Sequence, residues 1–283
     1  MTNWIETYRG TVPPWECDVT EHFTIAYYFD RLSEAERTLA EILGLREFLR
    51  DGHFPRHFDV RFMRELRAGS SFHIESAAIG VEGMLHLGHR FVDSANGAIV
   101  TWIDEHWELP AGALATERRD AIGAKLGVWE GPVIEARPEP TSDAGFIPTA
   151  RGRVKPSEIS TDGRFGVAAM VHRFTDACVQ AGSAIGMDSE FMEKSRRGFS
   201  TFELALRLTS TLTVDEPFLI ESGIAHLGNS SLRLIHRLSD PRSGREVARL
   251  GQYGVNLDLD ARRPAKWPDE MRARAAALII PLG

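Results

Sequence analysis

Residues 8–45 read YRGTVPPWECDVTEHFTIAYYFDRLSEAERTLAEILGL, and residues 150–187 read ARGRVKPSEISTDGRFGVAAMVHRFTDACVQAGSAIGM. The two stretches align without a gap at a spacing of 142 residues, and ten of the 38 aligned pairs are identical. The shared residues are Arg9/Arg151, Gly10/Gly152, Val12/Val154, Pro14/Pro156, Glu16/Glu158, Phe23/Phe165, Ala26/Ala168, Arg31/Arg173, Ala35/Ala177 and Gly44/Gly186. Later matches keep the same order, as in FHIES (72–76) with FLIES (218–222). This ordered self-similarity indicates an internal duplication.

Each half carries the same series of predicted elements. A strand near 6–15 leads through the polar ECDVTEH into a helix over about 24–43, where apolar residues recur every three or four positions. The second half has its helix over about 165–185. Four strands follow each helix, predicted at 58–66, 71–81, 84–93 and 98–109, and near 199–212, 217–228, 231–239 and 246–258. One helix with an antiparallel sheet predicts an α+β layer unit, used twice.

Composition restricts the class of protein. The 283 residues are 43% hydrophobic and 26% charged, with a net charge of −7, and no Lys/Arg cluster predicts nucleic-acid binding. The first residues have neither the basic nor the apolar region of a signal peptide, and no apolar stretch approaches the length of a membrane span. The two cysteines favour a reducing compartment over a disulfide scaffold. We therefore expect a cytoplasmic protein with no membrane or nucleic-acid partner.

The first copy resembles a known family over residues 8–35. Its sequence is similar to the pattern Y-R-G-x-V-x-P-W-x-C-D-x-x-G-H-x-N-x-x-x-Y-x-x-x-F-x-E-A of hotdog-fold acyl-CoA thioesterases of the 4-hydroxybenzoyl-CoA and betainyl-CoA type. The matching positions are Tyr8, Arg9, Gly10, Val12, Pro14, Trp15, Cys17, Asp18, His22, Tyr28, Glu34 and Ala35. Glu21 and Thr24 depart from the pattern, and Ser160 and Arg164 replace Asp18 and His22 in the second copy.

The resemblance implies a double hotdog, with two antiparallel sheets joined edge to edge and two central helices. We expect a first unit over residues 1–110, a terminal helix and linker over 111–149, and a second unit over 150–283. Because family members bind the acyl thioester between two subunits, the duplicated chain implies an intramolecular pseudo-dimer with one orthodox groove. Such a chain can exist as a monomer, but proteins of this fold commonly stack on one another, which favours a further homodimer.

The same resemblance implies hydrolysis of an acyl-CoA to the free acid and CoA. Asp18 would act as general base or nucleophile, and amides near His22 and Thr24, at the helix start, would hold the thioester oxygen. We assign substrate contacts to Phe23, Tyr27 and Glu34, and expect no cofactor and no metal.

Several alternatives remain open at this stage. Asp18 or Thr20 could cap the helix, and Glu34, with its equivalent Asp176, could be solvated. The simplest interpretation of Cys17 is a structural thiol. A zinc site formed by Cys17 and His22 would need further ligands, which the sequence does not offer at a suitable spacing. Two other functions compete with hydrolysis: a double-hotdog enoyl-CoA hydratase, whose Asn-Pro element is absent here, and a non-catalytic acyl-CoA-binding protein.

Overall fold

The computed structural model describes residues 3–51 and 55–283, and in both halves a long helix follows the first strand. The elements of the first half are β1 (Ile5–Thr11), α1 (Ile25–Leu43), α2 (Arg46–Asp51), β2 (Arg56–Phe62), β3 (Ser71–Gly80), β4 (Met84–Asp93), β5 (Ile99–Glu108) and α3 (Thr116–Gly123). Those of the second half are β6 (Ile147–Arg153), α4 (Val167–Ile185), α5 (Ser189–Ser195), β7 (Arg197–Leu208), β8 (Pro217–Leu227), β9 (Ser231–Asp240), β10 (Arg245–Asp258), β11 (Arg263–Pro264) and α6 (Asp269–Ala275).

The strands form one antiparallel sheet in the order β1-β3-β4-β5-β2-β7-β10-β9-β8-β6, with β11 paired to β10. The two halves meet where β2 pairs with β7, from Arg56 opposite Leu208 to Arg61 opposite Glu203. This pairing removes one exposed edge from each half. The predicted α+β class is confirmed.

The two long helices pack on one face of this sheet and contact each other. Phe29 on α1 and Phe174 on α4 are fully buried in the same core cluster as Phe58 and Leu206 of the joined strands. Each helix ends at a glycine in the left-handed region, Gly44 with φ 65° for α1 and the equivalent Gly186 with φ 98° for α4. None of the described helices is long and apolar enough to cross a membrane.

Two predicted strands are shorter than expected. The strand predicted over 58–66 ends at Phe62, and the one predicted over 199–212 ends at Leu208. The apolar residues that extended these predictions, Leu66 and Leu212, are buried in loops. Their carbonyls accept hydrogen bonds of 2.8 Å from the amides of Phe23 and Phe165, so they tie the polar turns to the sheet instead of continuing a ladder.

The duplication includes a buried chain of three hydrogen-bonded polar side chains in each half. Thr7 Oγ1 lies 2.7 Å from Ser76 Oγ, which lies 2.8 Å from His89 Nδ1. The second half repeats this arrangement with Thr149, Ser222 and His236, at 2.6 Å for both contacts. Burial lowers the pKa of both histidines to about 4, so they are neutral near pH 7.

Candidate functional site

The polar turn before α1 has a defined backbone shape. The Asp18 amide donates to the His22 carbonyl at 2.9 Å, and the Glu21 amide donates to the Asp18 carbonyl at 2.9 Å. Glu21 has φ 66°, whereas its equivalent Gly163 has φ 83°. A left-handed backbone is easy for glycine and unfavourable for glutamate. Both copies therefore form the same turn, although only the second has the residue best suited to it.

A buried ion pair holds this turn against α1. Arg31 Nη2 donates to both carboxylate oxygens of Glu16, at 2.7 and 2.6 Å. The equivalent pair, Arg173 and Glu158, is 2.7 Å apart. Since Glu16 ends the 3₁₀ turn Pro14–Glu16, the pair fixes where the chain enters the polar turn. This explains why both members recur in the two copies.

Asp18 organises the turn rather than capping α1. Its Oδ1 accepts hydrogen bonds from the Thr20 amide at 2.8 Å, the Thr20 hydroxyl at 2.6 Å and the His22 amide at 3.3 Å. The N-cap of α1 is Thr24, which makes no side-chain capping bond. The alternative in which Asp18 or Thr20 caps the helix is therefore wrong, because the cap is Thr24, six positions after Asp18. Asp18 Oδ2 receives no hydrogen bond from the residues described.

Thr20 links Asp18 to His22. The Thr20 hydroxyl gives its only proton to Asp18, so at 3.1 Å it accepts a hydrogen bond from His22 Nδ1. His22 Nε2 then accepts from Arg262 Nη1 at 2.9 Å, and burial lowers the pKa of His22, which keeps it neutral. Glu65 Oε1 lies 2.9 Å from the same nitrogen and is placed to accept a proton from charged His22.

A cavity of about 330 Å³, which we call the first groove, lies between this turn and the second half of the chain. The turn and the start of α1 form its near wall, with Asp18, Thr20, His22, Phe23, Thr24 and Ile25. The far wall comes from α4, α5, β7 and β10, with Thr175, Cys178, Val179, Met192, Phe199, Thr201, Phe202 and Gln252. The far wall thus comes from residues 175–252, in the second half of the chain.

The amides expected to hold a thioester oxygen are already engaged. The His22 amide donates to Asp18 Oδ1, the Phe23 amide to the Leu66 carbonyl and the Thr24 amide to the Glu16 carbonyl. The next two amides, those of Ile25 and Ala26, donate to no atom of residues 3–51 or 55–283. The first amides of a helix have no intrahelical acceptor. The available donors therefore lie one to two residues later than the sequence suggested.

The other predicted site residues have separate surroundings. Phe23 is buried and lines the first groove. Tyr27 packs edge-on against His172 of α4, with ring centres 4.9 Å apart, and is not among the lining residues. Glu34 is exposed on α1 and lines neither large cavity. Cys17 is half-buried, and burial raises the pKa of its thiol, in keeping with a structural role.

A second cavity, of about 860 Å³, lies at the equivalent position of the other copy, and we call it the second groove. Its near wall is the turn 157–166 and the start of α4, where Ser160 Oγ donates to Asp162 Oδ1. Its far wall includes Phe29, Ser33 and Glu36 of α1 together with Arg56 and Trp107 of the sheet. The sequence singled out Glu34 on this helix, whereas the α1 carboxyl groups that line the second groove are those of Asp30, Glu36 and Glu41.

One cluster in the described chain has metal-ligand chemistry. Ligand atoms of His86, Asp104 and His106 lie within 4.8 Å of one another. Asp104 Oδ1 is 2.5 Å from His86 Nε2 and 3.0 Å from His106 Nε2, so the three side chains already satisfy each other. These hydrogen bonds lower the pKa of Asp104 to about 2, against the opposing effect of burial. None of the three lines either groove.

Comparison with known proteins decides the fold family. Residues 154–275 match the model of the thioesterase-like superfamily. This part of the chain is similar to thioesterase-like proteins, and the solved structures that resemble the whole chain share its hotdog fold. The family match falls on the second copy, whereas the sequence motif that predicted it lies in the first.

Three similar solved structures align with this chain over both of its halves. A protein assigned as an oleoyl thioesterase from Lactobacillus plantarum is 12% identical, with a TM-score of 0.68 over 91% of this chain and 99% of its own. The 12:0-ACP thioesterase from Umbellularia californica is 14% identical, with a TM-score of 0.65 over 88% and 92%. An acyl-ACP thioesterase from Bacteroides thetaiotaomicron is 11% identical, with a TM-score of 0.63 over 87% and 96%. No curated protein matches the sequence.

Proposed function

We propose that the chain is a double-hotdog hydrolase of acyl thioesters and that the first groove is its active site. The observation that carries the proposal is that Asp18 and Ile25, the first residue of α1, lie on one cavity wall, and that the Ile25 amide is unpaired among the described residues. Thioester hydrolysis requires these two elements: a base or nucleophile, and fixed donors for the developing oxyanion.

The expected chemistry starts with the thioester oxygen at the amides of Ile25 and Ala26. The positive end of the α1 macrodipole adds to their attraction for negative charge. Asp18 Oδ2 then removes a proton from an attacking water, or itself attacks the carbonyl carbon to form an anhydride that water cleaves. In either route the carbon–sulfur bond breaks, and the products are the free acid and the protonated thiol.

Thr20 and His22 hold Asp18 for this step. Because Oδ1 accepts three hydrogen bonds from the turn, the carboxylate is fixed with Oδ2 available. Arg262, from the second unit, fixes the His22 ring from its other side. Both Thr20 and His22 therefore act as positioning residues.

The far wall offers an apolar surface suited to an acyl chain. Its apolar side chains include Val179, Met187, Met192, Phe199 and Phe202. Methionine side chains adapt their shape to irregular apolar ligands. These residues belong to the second unit, so the proposal requires both halves for one site.

The test is release of free thiol from a panel of acyl-CoA and acyl-ACP substrates of increasing chain length. The proposal expects turnover that falls at least about tenfold in Asp18→Asn, since a positioned base contributes about 10²–10⁴-fold. Glu117→Gln, which changes an exposed carboxylate on α3, is the matched control. Water addition to crotonyl-CoA without thiol release would favour the hydratase, and binding without turnover would favour an acyl-CoA-binding protein.

A further inference from the structure

We propose that the second groove is a second thioester-hydrolysing site, in which Glu36 of α1 is the general base. This inference rests on the proposed function, because it assigns the same reaction to the other groove. The two grooves would then take their carboxylates from different walls: from the turn in the first groove and from the long helix in the second.

The two central helices differ at the position that faces the groove. Glu36 aligns with Cys178, and Glu105 on β5 is equivalent to Gln252 on β10. The far wall of the first groove therefore has an uncharged Cys178 where the second groove has Glu36, and Gln252 replaces the buried Glu105 that lies beside Glu36. Burial raises the pKa of Cys178 to about 12, which leaves its thiol protonated and inert.

Glu36 and Glu105 share a single arginine. Arg56 Nη2 lies 3.3 Å from Glu36 Oε1 and 3.0 Å from Glu105 Oε1, and the Arg56 guanidinium stacks over the Trp107 ring at 4.0 Å. His89 Nε2 lies 3.2 Å from Glu105 Oε2, and His89 is neutral. One cation thus serves two carboxyl groups, so one negative charge is uncompensated and the pair retains a proton.

This arrangement gives Glu36 the properties of a base that works near neutral pH. Burial, and then the charge of Glu105, raises the pKa of Glu36 to about 7, against the opposing effect of Arg56. The pKa of Glu105 is also raised by burial, but Glu105 is fully buried and does not line the cavity. Glu36 is the member that reaches substrate. The sheet contributes Arg56, His89 and Glu105 to the charged or titratable groups around it. The other such groups that line the groove are Asp30, Arg37 and Glu41 of α1, Arg46 and Glu47 of α2, and Glu158, Asp162 and Arg164 on the opposite wall.

The near wall of the second groove offers matching oxyanion donors. The Phe165 amide donates to the Leu212 carbonyl and the Gly166 amide to the Glu158 carbonyl, as in the first copy. The following residues, Val167 and Ala168, line the cavity, and their amides donate to no atom within the described ranges. Arg56 Nε is also buried without an acceptor. The second groove therefore combines a tuned carboxyl group with unpaired donors.

Hydrolysis in the second groove needs no reactant other than water and the thioester. Deprotonated Glu36 takes a proton from water as its oxygen bonds to the thioester carbon, and the oxyanion is held at the start of α4. Collapse of the tetrahedral intermediate breaks the carbon–sulfur bond, and Glu36 returns the proton to the leaving sulfur. The products are again an acid and a thiol.

The test compares wild type, Asp18→Asn, Glu36→Gln, the double variant and the Glu117→Gln control, by thiol release from the acyl-CoA panel between pH 5 and 9. We expect Asp18→Asn to retain turnover at least tenfold above the double variant, rising with pH around 7. Glu36→Gln should lack this component, and Glu36→Asp should restore part of it. Far-UV circular dichroism checks that each variant folds.

A binding measurement supplies a readout independent of activity. Trp107 lines the second groove, and no tryptophan of the described residues lines the first. An S-alkyl-CoA thioether should therefore change tryptophan fluorescence in Asp18→Asn, and this change should be lost in Trp107→Phe.

The outcomes separate the two proposals. A wild type that hydrolyses acyl thioesters, with Asp18→Asn no more active than the double variant and Glu36→Gln equal to wild type at every pH, would overturn only the second site. A wild type inactive on the whole panel would contradict the proposed function, and the second site with it.

Discussion

The Thr20 hydroxyl lies 2.6 Å from Asp18 Oδ1 and 3.1 Å from His22 Nδ1, and it connects the two side chains on the near wall of the first groove. Because Thr20 is buried, its bonds are shielded from water. The position of the carboxylate therefore depends on a residue two positions along the same turn.

Removal of this hydroxyl should reduce turnover without changing the fold. Thr20→Val keeps the shape of the side chain but removes one hydrogen bond from Asp18 and one from His22. We expect turnover to fall about 10- to 100-fold, on the scale of a displaced catalytic group. Thr20→Ser retains the hydroxyl and should stay within a few fold of wild type, as measured by thiol release. Equal rates for Thr20→Val and wild type would contradict the positioning role.

Proline at the first position of α1 tests the oxyanion donors. Ile25→Pro removes one amide hydrogen, while proline is well suited to the first residue of a helix. Thr24 has φ −64° and ψ 136°, an extended backbone that a following proline accepts. We expect a folded protein with turnover reduced about 10²–10³-fold.

Ile25→Ala is the side-chain control for that experiment, and it should lose much less activity. Val167→Pro makes the equivalent change at the start of α4, where Gly166 has φ −68° and ψ 146°. It should affect only the component assigned to the second groove. Full activity in Ile25→Pro, with the fold intact, would exclude the Ile25 amide as a donor.

The left-handed backbone of Glu21 predicts a small effect on stability. Glu21→Gly relieves about 1 kcal/mol of backbone strain but removes contacts to Arg262 at 3.3 Å and Arg196 at 3.7 Å, which connect the two units. Exposed ion pairs contribute little, so the free energy of unfolding in urea should stay equal or rise by up to about 1 kcal/mol. A loss of more than about 2 kcal/mol would mean that the contacts between the units outweigh the strain.

Glu36 should make stability fall as pH rises. Its pKa is about 7 in the folded chain against an ordinary value of 4.5, so the folded state binds its proton more tightly. The stabilisation is present below about pH 4.5 and is lost as pH rises through 7, to a total of about 3 kcal/mol at 1.36 kcal/mol per unit. The unfolding free energy of Glu36→Gln, minus that of wild type, should increase over this interval. A constant difference between pH 4 and 8 would mean that Glu36 is not perturbed.

The fold could be predicted from the sequence because the same pattern occurs in both halves of the chain. Two copies of one strand–helix pattern, each ending at a glycine, predict the same unit twice, and the structure has α1 and α4 at the expected positions. Leu66 and Leu212 misled the strand prediction because an apolar residue can be buried in a loop as well as in a sheet. Side-chain spacing alone does not separate these two cases.

The site residues were harder to predict from the sequence. Their roles depend on which side of a helix faces a groove and on contacts between residues that are far apart in the chain. Glu34 and Glu36 differ by two residues, about 200° around a helix, so only one can face a groove. Arg262 lies some 240 positions from His22 in the chain, and no local pattern connects them. The unpaired amides of Ile25 and Ala26 carry no side-chain signal at all. Asp18 and His22 were identifiable because they are polar residues concentrated before an apolar helix.

The central claim is that Asp18 performs thioester hydrolysis in the first groove, and one comparison tests it most directly. The Glu36→Gln background removes the contribution assigned to the second groove, so turnover of this variant with and without Asp18→Asn isolates the first. We predict a fall of about 10²–10⁴-fold in thiol release, with an unchanged circular dichroism spectrum. Equal turnover in the two variants would contradict the assignment of Asp18.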